Sequence, residues 1–81
     1  MQEELRWVHI VDNKQNIAYI KKYKDAMKSE KVVGVYLDSR VAARYATTQA
    51  KRFGMEYIPI SKVNSDSRIP KKKTRRSRGV G

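Results

Sequence analysis

Nineteen Lys and Arg stand against eight Asp and Glu in 81 residues, a formal charge of +11, with 40% hydrophobic residues and no cysteine. That length supports one domain with a modest core, and the missing cysteines exclude disulfides and thiolate metal sites. No run approaches the roughly 18 apolar residues that cross a bilayer, and MQEELRWVHIV lacks a signal-peptide pattern.

In chain order, LRWVHIV at residues 5–11 is the first strand, rich in aromatic and β-branched residues. DNKQN then turns the chain. From Gln15 to about Glu30 the spacing predicts a helix: Tyr19, Ile20, Tyr23, Ala26 and Met27 gather on one side, and Lys21, Lys24, Asp25 and Lys28 fill much of the other. Asp12 or Asn13 is placed to cap it. VVGVYL at 32–37 is a second strand, with Gly34 marking a bulge or close approach. Asp38 or Ser39 caps a helix from about Arg40 to Phe53, and Gly54 stops it. EYIPI at 56–60 is a third strand, which Pro59 confines to an edge or ends early.

The expected fold is therefore an α/β one, a small β-α-β-α-β layer with mostly parallel strands in the order 1-2-3 or 2-1-3. Apolar residues on both parities of LRWVHIV favour a central first strand covered on both faces. The compact α/β domain is expected over 1–60. A basic tail follows over 61–81, where like charges and the absence of an apolar face predict disorder in free solution.

Eight basic residues against Asp66 alone give residues 61–81 a charge of +7, which leaves +4 for residues 1–60. A field of that sign attracts phosphate polymers, anionic membranes and acidic proteins. Two features aim it at nucleic acid. On the second helix, Ala42, Ala46, Ala50 and Phe53 form the apolar side, with Tyr45 and Gln49 between them. Arg40, Arg44, Thr47 and Lys51 cluster opposite without an acidic residue. In the tail, Lys71, Lys72, Lys73, Arg75, Arg76 and Arg78 supply point charges and bidentate phosphate donors. Lys71, Lys72, Lys73, Arg75 and Arg76 also form a basic nuclear-localisation pattern. The expected location is cytoplasmic or nucleic-acid-associated, and nuclear for a eukaryotic or viral chain.

The aromatics divide. Tyr19, Tyr23 and Tyr45 fit helix packing, while Trp7, Tyr36 and Tyr57 sit in strands and would stack single-stranded bases if one sheet face were open. For catalysis, Asp12 and Asp38 each follow a strand and would meet at one edge of a parallel sheet, where paired carboxylates hold Mg²⁺ for phosphodiester cleavage. Capping explains them more simply. His9 alternates with Trp7 and Val11 as a strand residue, and no nucleophile–base motif accompanies Ser39.

The sequence thus describes a non-enzymatic nucleic-acid-binding protein that contacts phosphates, with a slight preference for DNA over RNA and no cofactor. The alternatives are an acidic-protein interaction module and a divalent-metal-dependent nuclease. A homodimer would complete the small core, and a ribonucleoprotein partner fits the same charge.

Overall fold

The computed structural model of the chain describes residues 6–70. Strand β1, Trp7–Asp12, forms where the sequence predicts a strand. The turn that follows is built by side chains. Asp12 Oδ1 accepts the backbone N–H groups of Lys14 at 3.0 Å and Gln15 at 3.1 Å. Asn16 then adopts φ 60°, a left-handed conformation that asparagine tolerates better than most residues.

That turn folds the chain back on β1, so the segment predicted as a helix from Gln15 to Glu30 begins instead as strand β2, Ile17–Lys22. A single 3-10 turn, Tyr23–Asp25, follows it. IAYIKK carries apolar residues at helical spacing, yet it is equally a short strand with two buried faces, and periodicity does not separate the two over so few residues. The hairpin decides the matter. Ile17 and Tyr19 are buried on one face and Ala18 and Ile20 on the other, while Tyr23, an inward residue of the predicted helix, is 48% exposed.

Strand β3, Lys31–Tyr36, pairs with the other side of β1, and its register shifts by one residue between the partners of His9 and Ile10. Helix α1, Ser39–Phe53, follows. Strand β4, Glu56–Tyr57, is only two residues long before Pro59, and helix α2, Ile60–Val63, is one turn.

The sheet order is β3-β1-β2-β4. β1 is antiparallel to both neighbours, and only the short β2–β4 pair is parallel. The expected mostly parallel β-α-β-α-β layer is therefore corrected to a small α/β fold with a mixed, mostly antiparallel four-stranded sheet. The physical reason is connection length: a four-residue turn joins only antiparallel neighbours, and parallel pairing needs a crossover. One crossover survives, through α1 from β3 to β4. β1 does lie inside the sheet, as its apolar residues on both parities require.

The two faces of the sheet bury different clusters. On one, Val8, Ile10, Ile17 and Tyr19 pack with Ile58, Val63 and Ile69. On the other, Ile20 packs with Ala42 and Ala46 of α1, flanked by Trp7, Tyr36, Ala43 and Tyr57. Packing thus continues past Ile60, where the sequence pattern fades, and the chain stays on the sheet through Ile69. Two apolar residues six positions apart in a polar stretch show no period, which hides them from pattern reading. Burying a side chain such as Ile69 contributes roughly 1.5–3 kcal/mol.

Candidate nucleic-acid interface

Helix α1 mounts the basic stripe. Asp38 caps its start by accepting the Arg40 N–H at 2.8 Å, and Gly54 ends it in the left-handed conformation, φ 69°. Ala42, Ala46 and Ala50 are buried, and their small side chains bring the helix close to the sheet. Arg40, Arg44 and Lys51 project on the opposite side and are exposed. Their angular spread on a helical wheel is about 40° at 100° per residue. The charged group of none of the three is bonded to another described residue, and no acidic residue lies within α1.

Other members of that predicted surface behave differently. Thr47 Oγ1 donates to the Ala43 carbonyl at 2.7 Å, so its proton serves the helix backbone rather than a phosphate. Phe53, predicted on the apolar side, is 65% exposed, and its ring meets the Arg52 guanidinium at 6.0 Å. Tyr45 also leaves the core and stacks on Tyr36, with centroids 5.3 Å apart and planes 11° from parallel. Trp7, Tyr36 and Tyr57 do share one sheet face, but that face lies under α1. The open platform for stacking bases that they would otherwise form is occupied by the helix.

The tail residues Lys71, Lys72, Lys73, Arg75, Arg76 and Arg78 lie outside the described residues, but the place where the chain reaches them is defined. Lys21 Nζ donates to the Pro70 carbonyl at 2.7 Å. The same ammonium pairs with Glu30 at 2.9 Å, with side chains 7% and 2% exposed. Glu30 also accepts from the Tyr19 hydroxyl and the Met27 N–H, each at 2.7 Å. Burial and the adjoining Glu30 carboxylate push the Tyr19 phenol well above its ordinary range. Nearby, Arg68 grips Asp66 at 2.9 Å and Glu56 at 3.0 Å, which lowers the Glu56 pKa and raises that of Arg68. Gln15 holds the Arg68 carbonyl at 2.8 Å.

This anchoring was not legible in the sequence, which places Lys21 on the solvated side of a helix. The signal that finds it is the strand alternation Ile17, Tyr19, Lys21, which puts Lys21 on the buried face carrying Ile69. The tail root and the α1 stripe therefore start on opposite faces of the sheet.

The paired-carboxylate arrangement does not form. β1 and β3 are antiparallel, so Asp12 and Asp38 sit at opposite ends of the sheet, with the five residues of strand from Asp12 to Trp7, about 17 Å, between them and Asp38 two residues beyond the last pair. Gln15 and the backbone of the turn hold the Asp12 carboxyl below its ordinary pKa, and Asp38 caps α1. Among the described residues no group of three His, Asp or Glu is placed to hold a metal ion.

His9 is buried, its Nε2 has no hydrogen-bond partner, and burial lowers its pKa. It lines a cleft of about 520 Å³ with Val11, Val33, Ala50, Phe53 and Met55. Among the described residues no helix is long and apolar enough to cross a membrane.

Comparison with protein-family models, curated proteins and solved structures yields no match.

Proposed function

We propose that the protein binds nucleic acid without catalysing a reaction, through phosphate contacts made by Arg40, Arg44 and Lys51 and by the tail residues Lys71, Lys72, Lys73, Arg75, Arg76 and Arg78. One observation carries this reading: three exposed cations on one stripe of a well-capped helix, their charged groups bonded to no described residue and undiluted by an acid. Lys21 and Arg68 are by contrast held by carboxylates, Lys21 in a buried pair and Arg68 between two acids. A charge held on a rigid helix but left unpaired is available to a phosphate.

The helix over the aromatic sheet face supports duplex over single strands, and with it the slight preference for DNA. Eleven residues follow Pro70. At about 3.3–3.6 Å each they span at most roughly 40 Å, enough to pass around a small domain and meet the same backbone from its other side.

The test is a fluorescence-anisotropy titration of full-length protein and an Arg40→Ala/Arg44→Ala/Lys51→Ala variant against duplex DNA, single-stranded DNA and folded RNA over a salt series. Each lost phosphate contact removes about 0.9 from the slope of log K against log salt on duplex DNA, so the triple variant should lose roughly 2–3. An unchanged slope removes the helix from the interface. Failure of the full chain to bind any of the three at low salt, with binding to an acidic protein instead, overturns the reading.

A further inference from the structure

We propose that the outer edge of β3 is a self-association surface, on which a second copy of this chain adds its own β3 antiparallel to form a continuous sheet with two-fold symmetry. The inference stands apart from nucleic-acid binding and is tested without it.

β3 ends the sheet, with β1 on one side and no described strand on the other. Neither covering layer reaches it fully. Val32, Val33 and Val35 are 42–49% exposed, and Leu37 just beyond is 79% exposed. Protein edges normally discourage pairing with a central charge, a proline or a covering element. Here every residue from Val32 to Leu37 is uncharged, in a chain where 33% of residues are charged. A bare apolar edge on so basic a body needs a partner that does not bring a lysine to it.

A second copy meets that requirement, and the register shows how. β3 pairs Val35 with Val8 and Val32 with Ile10, which puts both valines on the face of the isoleucine-rich cluster. Tyr36 and Gly34 pair with Trp7 and His9 on the α1 face, and Lys31 pairs with Val11 on that same face. Val33 is the extra residue of the bulge. A two-fold axis normal to the sheet keeps each face on its own side, so paired residues must point the same way. Placing the axis at Val35 satisfies this along the strand. Val35 then meets its own copy, Gly34 meets Tyr36, and Val32 meets Leu37 with Val33 bulged. Lys31 meets Asp38.

The two charges that bracket the apolar run are of opposite sign and fall opposite each other, twice per dimer. Gly34 is required within the chain itself, because a Cβ there would stand 2.6 Å from the Tyr36 hydroxyl that lies over it. Such a dimer would carry both α1 helices on one face of an eight-stranded sheet.

The chain has no cysteine, which makes crosslinking a direct readout of register. Val35→Cys should form a dimer disulfide under mild oxidation, because residues facing across an antiparallel pair have Cα atoms about 4.5–5.5 Å apart, within disulfide range. Thr48→Cys, exposed on α1, should stay monomeric on the same gel. Sedimentation velocity from micromolar to near-millimolar protein should show a monomer–dimer equilibrium. Lys31→Glu should weaken it by about tenfold, and adding Asp38→Ser, which keeps a helix-capping side chain, should recover most of that loss. Circular dichroism confirms that each variant is folded. A monomer at every concentration, equal crosslinking of the two cysteine variants, or a dimer indifferent to Lys31→Glu would each overturn the proposal.

Discussion

Replacing Glu30 with alanine removes the centre of the only fully enclosed ion pair among the described residues. Its carboxylate accepts from the Tyr19 hydroxyl and the Met27 N–H at 2.7 Å and from Lys21 at 2.9 and 3.1 Å. Without it the Lys21 ammonium stays buried against the Pro70 carbonyl, at 2.7 Å, with no carboxylate to balance it. Breaking one side of a buried pair costs about 3–5 kcal/mol, because the surviving charge is neither hydrated nor balanced. A domain of this size holds roughly 5 kcal/mol in all, so Glu30→Ala should be left with about 0–2 kcal/mol and be only marginally folded at room temperature. Removing both charges with Lys21→Met/Glu30→Leu should be milder, since the Tyr19 hydroxyl, the Met27 N–H and the Pro70 carbonyl then lose a partner but no buried charge is left unbalanced. Trp7 is the sole tryptophan and half-buried beside α1, so its fluorescence reports urea unfolding cleanly. The expected signature is strong non-additivity, with the double variant more stable than Glu30→Ala alone. A loss below about 1 kcal/mol for Glu30→Ala, or a double variant as unstable as the two single losses together, would refute the reasoning.

Two further outcomes follow from the buried groups. His9 has its pKa lowered from 6.5 by burial, so the unfolded chain takes up its proton first. Its contribution to stability is present above pH 6.5 and is lost as pH falls through that value toward the folded pKa. His9→Leu should flatten the pH dependence of the urea midpoint over that window and raise the unfolding free energy by about 1 kcal/mol near neutrality, because the unpartnered Nε2 is gone; a pH profile identical to that of the parent chain would dismiss the effect. Ile69→Ala, beyond the point where the sequence pattern fades, should cost about 2–4 kcal/mol in the same assay. A change of a few tenths would mean that residues 61–70 do not belong to the folded unit.

The α1 stripe was legible because everything that makes it is local. Asp38, Gly54 and the alanine spacing declare the ends and the inward face of the helix, and 100° per residue then puts Arg40, Arg44 and Lys51 together. Phe53 failed that reading because periodicity says which way a side chain points, not whether the sheet extends far enough to cover it. Thr47 failed because a hydroxyl inside a helix finds its own backbone carbonyl before it finds a ligand.

What the sequence by itself determined is the helix α1 with its caps, the strands at β1 and β3, the edge position of the Pro59 segment and a positive field concentrated near one end. Propensity, capping and charge act over a few residues and need no partner. The tertiary structure alone decided that Ile17–Lys22 is a strand, that β1 runs antiparallel to both neighbours, and that Lys21 is buried with Glu30. It also decided that Asp12 and Asp38 stand at opposite ends of the sheet and that the tail departs from the face opposite α1. Each of these depends on which distant residue is met across a strand or a layer. The short apolar run IAYIKK satisfies a helix and a strand equally well until the Asp12–Asn16 turn lays it against β1.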